Sequence, residues 1–183
     1  SIIPTFLFSD IDLFLYLHIF AGCAKQWYLN NIHITSRGRG TGNTGGSVPI
    51  DNSIVLSLEK MNKIIEIDID NRLAIVQPGV INKTLQDSLK KINFFWGPDP
   101  SSQDYSTIGG NIANNSAGPR AIKYGTPRDN ILGLEFVSGT GDLYKTGVKT
   151  SRNKKIYKHY CSIRCRFKHS IGFKIWWQRT DKP

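Results

Sequence analysis

The chain has 183 residues, 39% of them hydrophobic and 21% charged, with a mean hydropathy of −0.29, which fits a globular domain with a real core. The formal charge of +10 would ordinarily point to nucleic acid or an acidic membrane. Residues 1–148, however, carry 13 Lys+Arg against 13 Asp+Glu, so the whole excess lies in residues 149–183 and the body of the protein is excluded as a basic binder.

The opening stretch SIIPTFLFSDIDLFLYLHIFAG is apolar, but it lacks a basic leading region and holds Asp10 and Asp12 inside the run. Those features argue against a signal peptide or an integral membrane segment. Cys23, Cys161 and Cys165 are an odd number at uneven spacing. They do not describe a disulfide framework, and they imply a reducing, cytoplasmic setting.

Alternation in NIHIT (Ile32, Ile34) predicts a first strand, followed by strands in SIVLSL, KIIEIDI and LAIVQP, with Asp70-Asn71 turning between the last two. Leu85, Leu89 and Ile92 then fall on one helical stripe, with Asn82 as the expected N-cap. The stretch at 98–118 is rich in Ser, Gly and Asn, too long and polar for a simple connector, and is expected to be a functional loop. NILGLEFVSGTGDLYKTG predicts a hairpin turning at 138–142.

Between the first two strands, SRGRGTGNTGGSVPI places five glycines between Gly38 and Gly46. Gly40-Thr41-Gly42-Asn43-Thr44-Gly45 satisfies G-x-G-x-x-G, yet the dinucleotide fingerprint requires a helix at the third glycine, and here a second strand follows. A phosphate-binding loop of the G-x-x-x-x-G-K-[ST] type is excluded because no such Lys follows. A strand, glycine loop, strand unit remains, whose successive backbone N–H groups can line an anion-binding concavity without a helix. The alternative is a flexible surface loop.

RGRGTGNTGGSVPI, SLEKMNKIIEID, AIVQPGVIN, PDPSSQDYSTIGGNIANNSAGP, KYGTPRDNILGLEFV and TGVKT, in that order and spacing, resemble the flavin-binding domain of FAD-linked oxidases of the D-lactate dehydrogenase and glycolate oxidase catalytic-subunit type. The resemblance implies an α+β fold, a two-lobed FAD-binding domain of the vanillyl-alcohol oxidase-like type, present here incompletely. It implies lobes at about 28–80 and 81–150, preceded by a poorly matching segment 1–27. It also implies FAD as cofactor, a small 2-hydroxy acid as substrate and an electron-acceptor subunit as partner. Carried over residue by residue, it implies that Arg37, Gly38, Arg39, Gly40, Thr41 and Gly42 wrap the pyrophosphate. Pro98, Asp99, Pro100, Ser101 and Ser102, with Ser106, Thr107, Gly109, Gly110 and Asn111, would line the flavin and its ribityl chain. Ala113, Asn114 and Gly118 would continue that wall, with Gly125 close by. No catalytic residue and no metal ligand is assigned.

Three residues depart from the family pattern, namely Ser36, Arg39 and Asn43. Arg39 can either bond the pyrophosphate or clash with it, and a clash is the expectation. The resemblance ends within a few residues of Asn153, where the composition swings to Lys, Arg and aromatics. An abrupt end of this kind is what a truncated or frame-shifted sequence produces. Residues 151–183 are therefore expected to be an aberrant tail that does not bury a face on the domain, and the chain alone is expected to be inactive. A non-enzymatic alternative rests on that tail. His159, Cys161, Cys165 and His169 could hold zinc, at an unusual spacing. Arg164, Arg166, Phe167, Lys168, Phe173, Lys174, Trp176 and Trp177 could bind single-stranded nucleic acid; the primary expectation includes no nucleic-acid partner.

Overall fold

The computed structural model describes residues 13–147 and 171–178, with backbone alone for 13–17 and 171–178. Helix α1 (Leu13–Leu29) leads to strands β1 (Ile34–Arg37), β2 (Ile54–Ser57), β3 (Ile64–Asp68) and β4 (Leu73–Val76). Helix α2 (Asn82–Lys90) is followed by short helices α3 (Ile108–Asn114), α4 (Ala121–Tyr124) and α5 (Pro127–Asn130), then by strands β5 (Ile131–Val137), β6 (Leu143–Gly147) and β7 (Ile171–Gln178). The four expected strands and the hairpin all form. Within the hairpin, β5 and β6 pair antiparallel from Val137 opposite Leu143 to Gly133 opposite Gly147.

β1 and β2 pair in parallel, Ile34 opposite Ile54 through Arg37 opposite Ser57. Parallel neighbours cannot be joined by a tight turn, because the chain must return to the starting end of the first strand. Residues 38–53, which include the glycine run, make that return without a helix. The other strands form one antiparallel sheet in the order β3-β4-β7-β5-β6.

β4 explains how this sheet carries the core. Successive side chains point to opposite faces, and all four of its residues are buried. Ala74 and Val76 pack with Val80, Leu85, Leu89, Trp96, Ile108 and Ile131, while Leu73 and Ile75 meet Leu132. A strand covered on both faces reads as an unbroken apolar run, as LAIV does. Leu85 and Leu89 are the α2 stripe, and burying each contributes about 1.5–3 kcal/mol. A second cluster joins α1 to the first sheet through Phe20, Ala24, Leu56, Leu58, Met61 and Val137. Among the described residues, no helix is long and apolar enough to cross a membrane.

Four expectations change. Asn82 is not the cap of α2. The N-cap is Ile81, because the Asn82 N–H is drawn to the Ser106 carbonyl at 2.9 Å and its side chain is buried. The stretch at 98–118 is not wholly loop, since α3 forms inside it despite two glycines. Thr107 Oγ1 accepts from the Gly110 N–H at 3.2 Å, and Ile108 buries completely, so a cap and a core contact outweigh the glycine penalty of about 1 kcal/mol per residue. The lobe boundary expected near residue 80 does not coincide with the sheets, because β3 and β4 belong to the sheet that holds β5 and β6.

The fourth change concerns the basic segment. Residues 171–178 do not lie apart from the domain. They run between β4 and β5, Leu73 opposite Gln178 on one side and Leu134 opposite Ile175 on the other. Backbone pairing needs no particular composition, and two facing strand edges offer it on both sides. Phe173, Lys174, Trp176 and Trp177 are thus on a central strand, while the proposed zinc ligands at 159–169 and the cations at 164–168 lie outside the described residues.

Replacing residues 171–178 by a Gly/Ser run of equal length should leave β4 and β5 unpaired along their inner edges. Loss of several ladder bonds, about 1 kcal/mol each, lowers the thermal midpoint by roughly 10 °C or more and promotes aggregation. An unchanged calorimetric midpoint would show that β7 does not complete the sheet.

Candidate functional site

The glycine crossover leaves β1 at Arg37 and folds back over α3. Gly38 touches Thr107 so closely that a Cβ there would overlap Thr107 Oγ1, and a Cβ at Gly42 would stand 3.6 Å from Asn114 Nδ2. Gly40 has φ +68°, and the guanidinium of Arg37 occupies the space beside it, Nη2 lying 2.9 Å from where a Cβ would project. A side chain is therefore refused at Gly38 by contact and at Gly40 by both conformation and contact.

The amides in this loop are left over. Leu58 donates to the Arg37 carbonyl at 2.9 Å and Val48 to the Gly45 carbonyl at 3.0 Å, but the N–H groups of residues 38–42 meet no hydrogen-bond acceptor among the described residues. Arg37 likewise has no carboxylate partner among the described residues. Consecutive free amides beside a guanidinium form a concavity suited to an anion. Arg39 behaves differently. Its Nη1 is paired with Glu59 Oε2 at 2.7 Å, a partner the sequence reading did not foresee.

The second stretch is fastened piece by piece. Gln103 N–H donates to the Pro100 carbonyl at 2.8 Å, and Tyr105 and Ser106 both donate to the Ser102 carbonyl, at 2.9 and 2.7 Å. Gly109 N–H reaches the Pro78 carbonyl at 2.8 Å, and Asn114 Nδ2 returns to the Gly110 carbonyl at 3.0 Å. Asp99 N–H donates to the Ala117 carbonyl at 2.8 Å, while its carboxylate takes the Arg120 N–H at 3.0 Å and the Arg120 Nε at 3.2 Å. Gly118 is pressed onto the Asp99 carbonyl. Ser101 is exposed, and so is Ala113 on the last turn of α3.

Of the sequence-predicted residues, Arg37 through Gly42 are thus brought to Thr107 and Asn114, and Pro98 through Ser102 to Ser106 and Gly118. Gly125 has its nearest neighbours outside the first loop. It sits against Asp129, and Tyr124 beside it abuts Gly97. Sequence reasoning missed Gln86, whose side chain holds Trp96, and Asn130, whose Nδ2 donates to the Tyr124 and Thr126 carbonyls at 2.9 and 2.8 Å. Gln86 stands one turn after Asn82, and that amide spacing was the available signal.

Two buried polar atoms here lack partners among the described residues, Ser106 Oγ and Asn111 Nδ2. Leaving such groups unmet costs about 1–3 kcal/mol each, so a ligand bringing its own polar atoms suits this wall. The unmet amides, the unpaired guanidinium and the glycine cradle all match a dinucleotide's diphosphate, and the residues present therefore fit FAD. By contrast, a shallow apolar cleft lined by Ile67, Arg72, Leu73, Leu89, Ile92 and Phe94 contains none of these residues.

Comparisons with known proteins point the same way. The FAD binding domain family matches residues 22–147. The chain is 44% identical over 124 residues to the glycolate oxidase subunit GlcD of Bacillus subtilis, covering 68% of this chain and 26% of that protein. It is 43% identical over 127 residues to a D-lactate dehydrogenase of Archaeoglobus fulgidus, covering 69% and 28%. Among solved structures, 6-hydroxy-D-nicotine oxidase from Arthrobacter nicotinovorans superimposes with a TM-score of 0.71 at 24% identity, covering 88% of this chain and 34% of that one. An alkyldihydroxyacetonephosphate synthase gives 0.71 at 24% identity, covering 90% and 32%. These two structural likenesses show the fold. The chain spans about a quarter of the length of the curated relatives it matches.

Gly38→Ala should drive the loop off Thr107 and weaken FAD binding about tenfold or more, an effect of roughly 1.4 kcal/mol. Arg39→Ala, which removes a half-exposed ion pair, should shift stability by about 1 kcal/mol or less. Parallel flavin titrations and thermal melts of the two variants check both outcomes.

Proposed function

The chain belongs to the FAD binding domain family, and from that premise we propose that it is the cofactor-holding part of an FAD-linked oxidoreductase acting on a small 2-hydroxy acid such as D-lactate or glycolate. The observation that carries the reading is the set of amides at 38–42, which meet no acceptor among the described residues, beside the Arg37 guanidinium. Backbone N–H groups are directional donors fixed before a ligand arrives, and the anion they await is a diphosphate. Arg37 supplies a guanidinium, whose planar fork of donors suits phosphate oxygens.

Ser106, Thr107, Asn111 and Asn114 form the wall against which the rest of the cofactor lies in this reading. Ser106 Oγ offers a donor or an acceptor and Asn111 Nδ2 a donor, both withdrawn from water. FAD bound here would supply the two-electron redox chemistry. What these residues do is hold, orient and desolvate it.

The choice of substrate follows the named relatives, glycolate oxidase subunit GlcD and D-lactate dehydrogenase. An electron-acceptor subunit belongs to the same proposal. We place no catalytic base on the described residues, so the 183-residue chain by itself is expected to bind FAD without oxidising either acid.

Titration of the purified chain with FAD, FMN and riboflavin, followed by flavin fluorescence, tests this reading. FAD should bind far more tightly than the other two, because only it spans the diphosphate loop. Arg37→Ala should weaken FAD binding by about tenfold to a hundredfold, as expected for a hydrogen bond to a charged group, and should leave riboflavin unaffected. Equal affinity for all three flavins would overturn the assignment.

A further inference from the structure

α2 carries two side-chain amides one turn apart, Asn82 and Gln86, on the same face of the helix. Gln86 Oε1 accepts from the Trp96 N–H at 3.1 Å, and Gln86 Nε2 donates to the Trp96 carbonyl at 2.7 Å. One side chain thus satisfies both polar groups of a single backbone residue, as a neighbouring strand would. The next carbonyl in reach, that of Pro98, receives Gln86 Nε2 and Asn82 Nδ2, each at 3.4 Å. Trp96 is fully buried, so water cannot substitute for these partners.

Residues 96–106 contain no helix or strand that would fix their shape internally. Turns at Pro100 and Ser102 and the Asp99 contacts to Ala117 and Arg120 hold the later part of the stretch, while α2 holds its start at 96–98 and its end at Gln103 and Ser106. Besides the Gln86 pair, the α2 backbone takes the Ser106 carbonyl through Asn82 N–H at 2.9 Å and the Gln103 carbonyl through Lys83 N–H at 3.0 Å. Only a carboxamide carries a donor and an acceptor side by side in one plane, which is what a backbone residue requires. Leu would remove both of these bonds, and Glu would set a carboxylate against two carbonyls.

We propose that Gln86 is a positioning residue for the cofactor wall, an amide clamp that fixes residues 96–98 and so sets where Pro98 through Ser102 stand, with Asn82 bracing the same carbonyl. The inference rests on the reading that this wall borders FAD. Gln86 itself acts through the backbone it holds.

The test uses the whole 183-residue chain in two measurements, FAD titration and amide hydrogen exchange without FAD, on the wild type, Gln86→Leu and Gln86→Glu. Both variants should raise the FAD dissociation constant about tenfold or more. Exchange should quicken across residues 96–106 while the β5–β6 hairpin keeps its protection, a local pattern that general destabilisation would not produce. Should Gln86→Leu fail to fold, Gln86→Glu, which keeps the acceptor for Trp96, carries the same measurements. Wild-type FAD affinity in a folded variant, or exchange that rises equally in the hairpin or nowhere, overturns the proposal. If the wild type itself does not bind FAD, the cofactor reading fails, and the exchange pattern still decides the clamp.

Discussion

The parallel pairing of β1 with β2 is the constraint from which the site follows. Two parallel strands force a long return, and such returns are commonly helical, with all but the first turn's amides consumed internally. Here residues 38–53 make the return as glycine-rich backbone. Amides that a helix would have used remain free, and the absence of side chains at Gly38 and Gly40 lets the loop lie flat on Thr107 and admit the Arg37 guanidinium. Topology thereby converts a connection into a row of directional donors.

That row is only as fixed as what lies beneath it. The loop rests on α3, which is held by its Thr107 cap and by Ile108 in the core. α3 is tied to the 77–81 turn through Ile108 N–H to the Val80 carbonyl and Gly109 N–H to the Pro78 carbonyl, both at 2.8 Å. That turn ends β4, all four of whose residues are buried. A chain of short contacts thus runs from the core to the donors, with α2 holding the neighbouring wall through Gln86. Anion binding by preorganised amides depends on this support, since donors that must reorganise lose much of their advantage.

Strand positions were legible in the sequence because burial leaves a mark of period two or an unbroken apolar run, as in NIHIT and LAIV. The glycine loop was legible as well. G-x-G-x-x-G without a following helix separated it from the dinucleotide fingerprint, and the family resemblance then named its ligand. α3 was not legible, because two glycines and two asparagines look like loop until the Thr107 cap and the burial of Ile108 are known. Asn82 misled for the opposite reason. A good capping residue next to an apolar stripe was claimed instead by a tertiary carbonyl. The basic segment 171–178 escaped because sheet order is set by which edges lie open, and composition does not record that. Arg39 could not be resolved without Glu59, twenty residues away in the chain and 2.7 Å away in space.

Amide NMR of the intact chain titrated with ADP, which carries the diphosphate but no flavin, reaches the central claim most directly. The resonances of Gly38, Arg39, Gly40, Thr41 and Gly42 should move together and saturate at one dissociation constant, while those of the β5–β6 hairpin stay still. If the five amides remain in place, whether ADP binds elsewhere or fails to bind, the glycine crossover is a connector and its free donors serve no diphosphate.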